Sequence, residues 1–534
     1  MNFVKKISLA VLSGVLLGAA WFSPFTFLIF AALVPLLILT DEIAAGNSKR
    51  SRSLVFLFSY IVFLIWNIID TWWTWFASPG GAVFAIAANA LLMSIAYLIY
   101  FSVRRSLSTK YSSLAVWLLV PVWLSFEYAH SNWELAWNWL TLGNIFSYQH
   151  NWIQWYEFTG VSGGSLWILA VNILFYNLFK SKIVNFKLSI LKVACALIIP
   201  IILSFIVLKL ATSNRTKSAK QNIVIVQPNI DPYNDKFFVA YETQLKQVYE
   251  QVKNEITNET DYLVLPETFL TESVWENEIE QSYSVRFLRD SILKKYPKLI
   301  IVTGASTFYR FSPNEKLSAT ARKFSDAIEY YDTYNTGLQI DNFEKTLIYH
   351  KSKLVPGVER MPYPAFFKPL EKLTIDLGGT SGSLGMQDER GVFFNKDKTV
   401  GVAPVICFES VFGEYVTGYI KKGANLIFII TNDGWWRDSP GYMQHLNYAR
   451  LRAIETRCPI ARCANTGISC FISETGEISH ATTWWNPAVI SSSLQPNNTK
   501  TFFVRLGDLI SKVALILTFV AIILGLFLRF RRRN

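Results

Sequence analysis

The chain has 534 residues, of which 51% are hydrophobic, with 18 Trp, 39 Phe and a formal charge of +12; its mean hydropathy is +0.27. That length exceeds one domain of about 100–200 residues, and an apolar, aromatic-rich chain suggests a membrane protein with interfacial anchors. The charge does not point to nucleic acid: no reading motif accompanies it, and much of the excess Lys and Arg flanks apolar runs.

In chain order, seven apolar runs fall at roughly 7–22, 24–40, 54–70, 82–103, 113–130, 162–179 and 189–210, and an eighth at 506–528. Each approaches the ~20 residues that a membrane helix needs, so about eight spans are expected. Lys5 and Lys6, Lys49, Arg50 and Arg52, Arg104, Arg105 and Lys110, Lys180, Lys182 and Lys187, and Arg529, Arg531, Arg532 and Arg533 lie in alternate loops, whereas 71–81 and 131–161 hold no Lys or Arg. Basic loops favour the cytoplasm, and long domains cross largely regardless of charge. The expected organisation is a bundle over 1–210, an extracytoplasmic domain over 211–505, and a final span with a basic tail over 506–534. Lys5-Lys6 followed by Gly18-Ala19-Ala20 also fits a cleavable signal, but Trp21, Pro24 and an immediate second span favour an uncleaved helix.

Two features inside this region invite attention. Residues 131–161 carry Trp133, Trp137, Trp139, Trp152 and Trp155, which suit an interfacial helix lying on the bilayer or one wall of a lipid-access route. Asp70, Glu127 and His130 sit near the outer ends of spans, where an ionisable residue is a functional candidate or simply reaches the headgroups.

From residue 222 the periodicity changes. Strands are expected at 222–227, 262–265, 299–302, 399–407, 425–430, 459–464 and 468–473, with helices at 236–257, 410–421 and 442–457. Alternating strands and helices indicate an α/β domain, and the short apolar runs suit strands covered on both faces. The five cysteines (Cys195, Cys407, Cys458, Cys463 and Cys470) match no common zinc spacing. Cys458, Cys463 and Cys470 read as buried thiols, with a disulfide open outside the cytoplasm. No metal or organic cofactor is implied.

Three segments carry chemistry: Leu265-Pro266-Glu267-Thr268 just past a strand, Tyr349-His350-Lys351 through Val355-Pro356 to Glu359, and Val405-Ile406-Cys407-Phe408-Glu409-Ser410 at a strand-to-helix turn. A thiolate is the reactive form of cysteine. A carboxylate can take the thiol proton, and an ammonium with a backbone N–H can hold an oxyanion. Singly, each residue is ordinary: a solvated carboxylate, a surface lysine, a small core cysteine.

The order Glu, Lys, Cys on such strands resembles the nitrilase (carbon–nitrogen hydrolase) superfamily, which implies an αββα sandwich. With the spans, the whole chain resembles the apolipoprotein N-acyltransferase family of Gram-negative bacteria. Further support comes from Gln227-Pro-Asn229, Thr431-Asn432-Asp433-Gly-Trp-Trp and Gln444-His445-Leu. The resemblance implies Glu267 as general base, Lys351 as oxyanion stabiliser and Cys407 as acylated nucleophile, with Glu359 and Glu409 supporting. Phe408 stands where the family commonly has Tyr, and Phe237 where it commonly has Trp. Pro356-Gly357-Val358-Glu359 departs from the usual Pro-Phe-Gly-Glu.

The implied reaction moves an acyl chain from a phospholipid donor to Cys407, then to the amine of a diacylated apolipoprotein, at a bacterial inner membrane with the catalytic domain in the periplasm. Residues 360–370, with Phe366 and Phe367, are expected to form a membrane-dipping arm or a packed loop; these two and Phe237 are the substrate-binding candidates. The alternatives are a membrane-tethered amidase, which would use water as acceptor, and a transporter or lipid-binding scaffold with an inactive domain.

Overall fold

A computed structural model describes residues 2–46, 48–111, 114–180, 186–213, 218–325, 327–343, 345–363 and 382–531. Phe366 and Phe367, and with them most of the expected membrane arm, lie outside the described residues. The chain forms two compact units. One comprises Met1–Trp75, Pro79–Leu210 and Leu506–Asn534; the other comprises Phe76–Ser78 and Ala211–Arg505.

The first unit is helical: α1 (Phe3–Ala19), α2 (Val34–Ala45), α3 (Ser51–Thr71), α4 (Pro79–Tyr111), α5 (Leu119–Ser131), α6 (Val161–Lys180), α7 (Phe186–Ser213) and a C-terminal helix, Leu509–Arg531. Among the described residues, six helical segments are long and apolar enough by themselves to cross a membrane, where about eight spans are expected. The two remaining runs form α1, of 17 residues, and α5, of 13. With the 3-10 turn Ala115–Leu118 that leads straight into it, α5 extends about 27 Å, close to the ~30 Å of a hydrocarbon core.

The Phe25–Ala45 span is itself broken, into a 3-10 turn over Phe25–Phe30 and then α2. A break in apolar surroundings leaves backbone groups without water to satisfy them. Asn172 on α6 closes it: its Oδ1 accepts from Leu33 N at 2.8 Å, and its Nδ2 donates to Ile29 O at 2.8 Å.

Residues 131–161 do not form a helix lying on a surface. They fold as short turns over Asn138–Leu140 and Leu142–Trp152 whose apolar side chains are buried, with the Trp139 ring centroid 4.9 Å from that of Trp73. Glu127 holds this segment: its Oε1 accepts from Trp123 Nε1 at 3.0 Å and from Leu142 N at 2.8 Å. His130 Nδ1 accepts from Trp133 Nε1 at 3.0 Å. Asp70, Glu127 and His130 are all buried within the unit.

The second unit is a sandwich of two sheets. The first contains β1 (Gln221–Gln227), β2 (Tyr262–Val264), β3 (Leu270–Trp275), β4 (Ile300–Arg310), β5 (Arg322–Lys323), β6 (Tyr330–Ile340), β7 (Leu347–His350) and, from the end of the unit, a last strand, Ala488–Leu494. That last strand pairs antiparallel with β1, while β1, β2 and β4 run parallel. The second sheet contains β8 (Phe393–Phe394), β9 (Gly401–Ile406), β10 (Leu426–Thr431), β11 (Ile460–Ala464), β12 (Cys470–Ile472) and β13 (Ile478–Ser479), in sequential order.

Helix α8 (Tyr241–Val252) and the turns near residue 288 cover the first sheet through Leu245, Val248, Val252, Val285, Leu288 and Ile292. The second sheet is covered by α9 (Gly413–Lys421) and α10 (Pro440–Thr456). Every residue of β9, β10 and β11 is buried, as strands covered on both faces require. The sheets face each other, with the Tyr262 and Phe428 ring centroids 5.2 Å apart.

The expected strands form, and the 299–302 strand is longer, running to Arg310. The helix expected from 236 starts only at Tyr241, because residues 231–239 are held as a turn by Asp231, whose carbonyl accepts from the backbone N–H groups of Asp235 and Lys236. All five cysteines are free thiols, so no disulfide joins Cys458, Cys463 or Cys470.

Asn172→Leu leaves the buried Leu33 N–H without its acceptor, a cost of about 1–3 kcal/mol. Its thermal midpoint in detergent should fall below that of the native protein; an unchanged midpoint would show that the break is satisfied another way.

Candidate active site

Parallel strands deliver their chemistry at their C-terminal ends, and two such ends supply this site. Pro266 stops β2, and Glu267 follows in a turn where Thr268 has φ +45°. A left-handed φ is a genuine outlier for a β-branched residue. The turn lies directly on β4: a Cβ at Gly304 would come within 2.4 Å of Thr268 N and 2.6 Å of Glu267 Cα. Only glycine leaves that space.

Cys407 follows β9, also with a left-handed φ of +48°, and opens the short turn Cys407–Val411. Its side chain is 9% exposed. Lys351 follows β7 and is held in register by its N–H, which donates to Asn335 O at 2.8 Å.

The Lys351 ammonium lies between two carboxylates, 3.0 Å from Glu267 Oε1 and 2.8 Å from Glu359 Oε1. The amide of Asn335 on β6 spans the same pair, donating to Glu267 Oε1 at 2.8 Å and Glu359 Oε1 at 3.0 Å. Glu359 Oε2 accepts from Val355 N at 2.8 Å, closing its loop despite the altered Pro-Gly-Val-Glu spelling.

Burial acts to raise the Glu267 carboxyl, but the Lys351 ammonium, the Asn335 amide and the Lys236 ammonium outweigh it and hold it below the ordinary range. Burial acts to lower Lys351, yet Glu267, Glu359 and the nearby Cys407 carry it well above its usual value. Burial and the charge of Glu267 push the Cys407 thiol well up, with Lys351 opposing. The resting arrangement is therefore a carboxylate, an ammonium and a neutral thiol.

Glu409 ties the nucleophile to the lysine loop. Its Oε2 accepts from Ile406 N at 2.9 Å, while its Oε1 accepts from Ser352 N at 2.7 Å and Tyr349 OH at 2.6 Å. One carboxylate thus fixes the residue before Cys407 and the residue after Lys351. Phe408 is buried, its ring edge-on to Phe412 at 5.1 Å; it packs the turn. Phe237 is partly buried beside the site, with Lys236 Nζ 5.7 Å from its ring centre.

Three positions at the site escape a reading of the sequence alone, Asn335, Gly304 and Lys236, and the contacts of Asp433, His445 and Ser410 are visible only in the structure. Asn335 lies in a polar, aromatic strand that does not advertise itself. Gly304 is one glycine among 27. Lys236 is a lysine in a polar turn, yet its ammonium is buried, donating to Glu267 O at 3.1 Å and also to Thr268 Oγ1. Asp433 and His445 do lie in noted motifs, and the structure shows what they touch. His445 Nδ1 pairs with Asp433 Oδ1 at 2.9 Å; Nε2 lies 2.9 Å from Ser410 Oγ and 3.2 Å from Cys407 O. Ser410 Oγ donates to that same carbonyl at 2.7 Å. Gln227 is likewise structural, donating to Thr483 O and Asn486 O.

Residues 223–502, more than half of the chain, match the carbon-nitrogen hydrolase family. The chain belongs to that family. Residues 13–174 of this carbon–nitrogen hydrolase match the apolipoprotein N-acyltransferase N-terminal domain. It is 29% identical over 525 residues to the apolipoprotein N-acyltransferase of Chlorobaculum tepidum, covering 96% of this chain and 95% of the relative. It is 24% identical to that of Geobacter metallireducens, covering 94% and 91%, and 26% identical to that of Haemophilus influenzae, covering 95% and 92%.

Gly304→Ala must push the Glu267 turn off β4. A displacement near 1 Å costs about 10²-fold in rate, so the variant should label Cys407 with an acyl donor about 10²-fold more slowly. Native-rate labelling would show that the turn has room to spare.

Proposed function

We propose that the protein is an apolipoprotein N-acyltransferase of a bacterial inner membrane, with its catalytic unit on the periplasmic side. The observation that carries this reading is the joining, in one chain, of a carbon–nitrogen hydrolase site to an N-terminal unit that matches the apolipoprotein N-acyltransferase N-terminal domain. The alternation of basic loops supports the orientation.

In the first half-reaction Glu267 takes the Cys407 thiol proton. The thiolate attacks the ester carbonyl of a phospholipid, and the Lys351 ammonium holds the resulting oxyanion. Collapse breaks the bond to the glycerol oxygen, which takes the proton from Glu267 and leaves as a lysophospholipid. Cys407 then carries a thioester. In the second half-reaction the α-amine of a diacylglyceryl-cysteine attacks this thioester, Glu267 takes the amine proton, and the C–S bond breaks. The thiolate is reprotonated and an amide is formed. Glu359 and Asn335 keep Lys351 in place through both steps. A thioester is exposed to hydrolysis, so a nearly closed site favours transfer by excluding water.

Intact-mass measurement on protein mixed with phospholipid should show a hydroxylamine-sensitive acyl adduct, and adding a diacylated lipopeptide should discharge it to triacylated product. Free fatty acid in place of that product would mean that water is the acceptor and the protein is an amidase-like hydrolase. Cys407→Ala should give no adduct, and Glu267→Gln should block loading because an amide cannot accept the proton. Lys351→Ala should lose about 10²–10³-fold, as for removal of one oxyanion donor. An adduct on Cys407→Ala would place the nucleophile elsewhere.

The orientation is tested separately. A periplasm-active reporter fused after residue 215 should be active and one fused after residue 107 silent; the opposite pattern would reverse the topology and remove the lipoprotein role.

A further inference from the structure

Lys236 is 3% exposed. A buried ammonium is costly unless it is paired and hydrogen-bonded. Its two acceptors are both uncharged, the Glu267 carbonyl at 3.1 Å and the Thr268 hydroxyl, and no carboxylate lies within salt-bridge distance among the described residues. The turn that presents Lys236 is itself built: Lys236 N donates to Asp231 O at 2.9 Å, and Lys236 O accepts from Gln244 Nε2 at 2.9 Å. The ammonium thus grips both sides of the Glu267–Thr268 peptide, where the backbone is left-handed at a β-branched residue.

We propose that Lys236 is a positioning residue for acyl transfer: its ammonium clamps the strained Glu267–Thr268 peptide and so sets where the Glu267 carboxylate stands. This rests on the assignment of Glu267 as the base. The clamp depends on charge, because an ammonium hydrogen bond is stronger than that of a neutral amine. Burial pulls Lys236 down to about 8, with Glu267 and Cys407 opposing and Lys351 adding to the fall. The clamp is therefore complete below that pH and is released as pH rises through it.

The test uses the full-length protein in phosphatidylethanolamine–phosphatidylglycerol vesicles, with the rate of Cys407 thioester formation followed from about pH 6 to about pH 10. The native rate should fall as pH passes about 8. Lys236→Met should slow loading by about 10²-fold and abolish that fall, with the phospholipid concentration for half-maximal rate unchanged. Lys236→Arg should recover most of the rate and carry the fall to higher pH. Thr268→Ala should slow loading, and Thr268→Ser, which keeps the hydroxyl, should restore it, so the clamp is tested even if a Lys236 variant does not fold.

Native-rate loading by Lys236→Met, the same alkaline fall in that variant, or equal rates for Thr268→Ala and Thr268→Ser would overturn the proposal. A native protein that forms no thioester overturns the acyltransferase reading instead. The clamp is then decided by iodoacetamide alkylation of Cys407. Lys236→Met should drop to the rate of Glu267→Gln, and an unchanged rate refutes it.

Discussion

A single ammonium between two carboxylates organises the catalytic unit. Burial alone would push the Glu267 carboxyl toward protonation. With Lys351 between the two carboxylates, and the Asn335 amide bridging the same oxygens, both are held by charge-assisted hydrogen bonds. Removing one partner of a buried pair is costly, about 3–5 kcal/mol, because the other charge is left uncompensated. The chemical consequence matters more than the stability. The same contacts that hold Glu267 ionised leave it able to accept a proton, as the proposed reaction requires of it. Strands β6 and β7, the 351–359 loop and the 405–410 turn all converge on this arrangement.

Both reacting ends of the site stand on strained backbone. Thr268, after the proposed base Glu267, and the proposed nucleophile Cys407 are left-handed, a conformation that persists only where the surroundings enforce it. The enforcement is of one kind at both ends: buried polar side chains grip the peptide groups of the turn. Lys236 does so at Glu267, and Ser410 with His445 at Cys407, backed by Asp433. Burial and the Arg462 guanidinium act in opposite directions on Asp433, and Arg462 with His445 prevails, holding that carboxyl well below the usual range. Glu409 then spans the gap by binding Ile406 N and Ser352 N together.

Much of this was legible from the residues. Glu267 and Cys407 announce themselves because each follows an apolar run expected as a strand, and Lys351 because the three residue types together suit one reaction. Strand β6 was missed because Tyr330-Tyr-Asp-Thr-Tyr-Asn-Thr-Gly-Leu-Gln-Ile340 faces the site with polar groups, which hides an apolar pattern although nearly all of it is buried. Lys236 was invisible for a related reason: nothing local distinguishes a lysine that turns inward from one that is solvated. In the helical unit, hydropathy reports how apolar a stretch is but not whether its backbone is continuous. The break inside Phe25–Ala45 is met by Asn172, which lies far away in sequence.

The strand Ala488–Leu494 lies beside β1 in exact antiparallel register, Gln221 opposite Leu494, so the catalytic unit begins and ends at neighbouring points of one sheet. The C-terminal helix beyond it, Leu509–Arg531, packs back into the helical unit through hydrogen bonds of 2.9 Å between Ser125 and Thr518 and between Ser162 and Ser511. This imposes an order of assembly on the ribosome's product. Domains fold as they emerge, the N-terminal ones first, but here the first unit to be made lacks a helix that is made last. The helical bundle must wait, incomplete, while the whole catalytic unit is synthesised. A chain truncated before Leu509 would keep the N-terminal helices but leave their bundle without its last member.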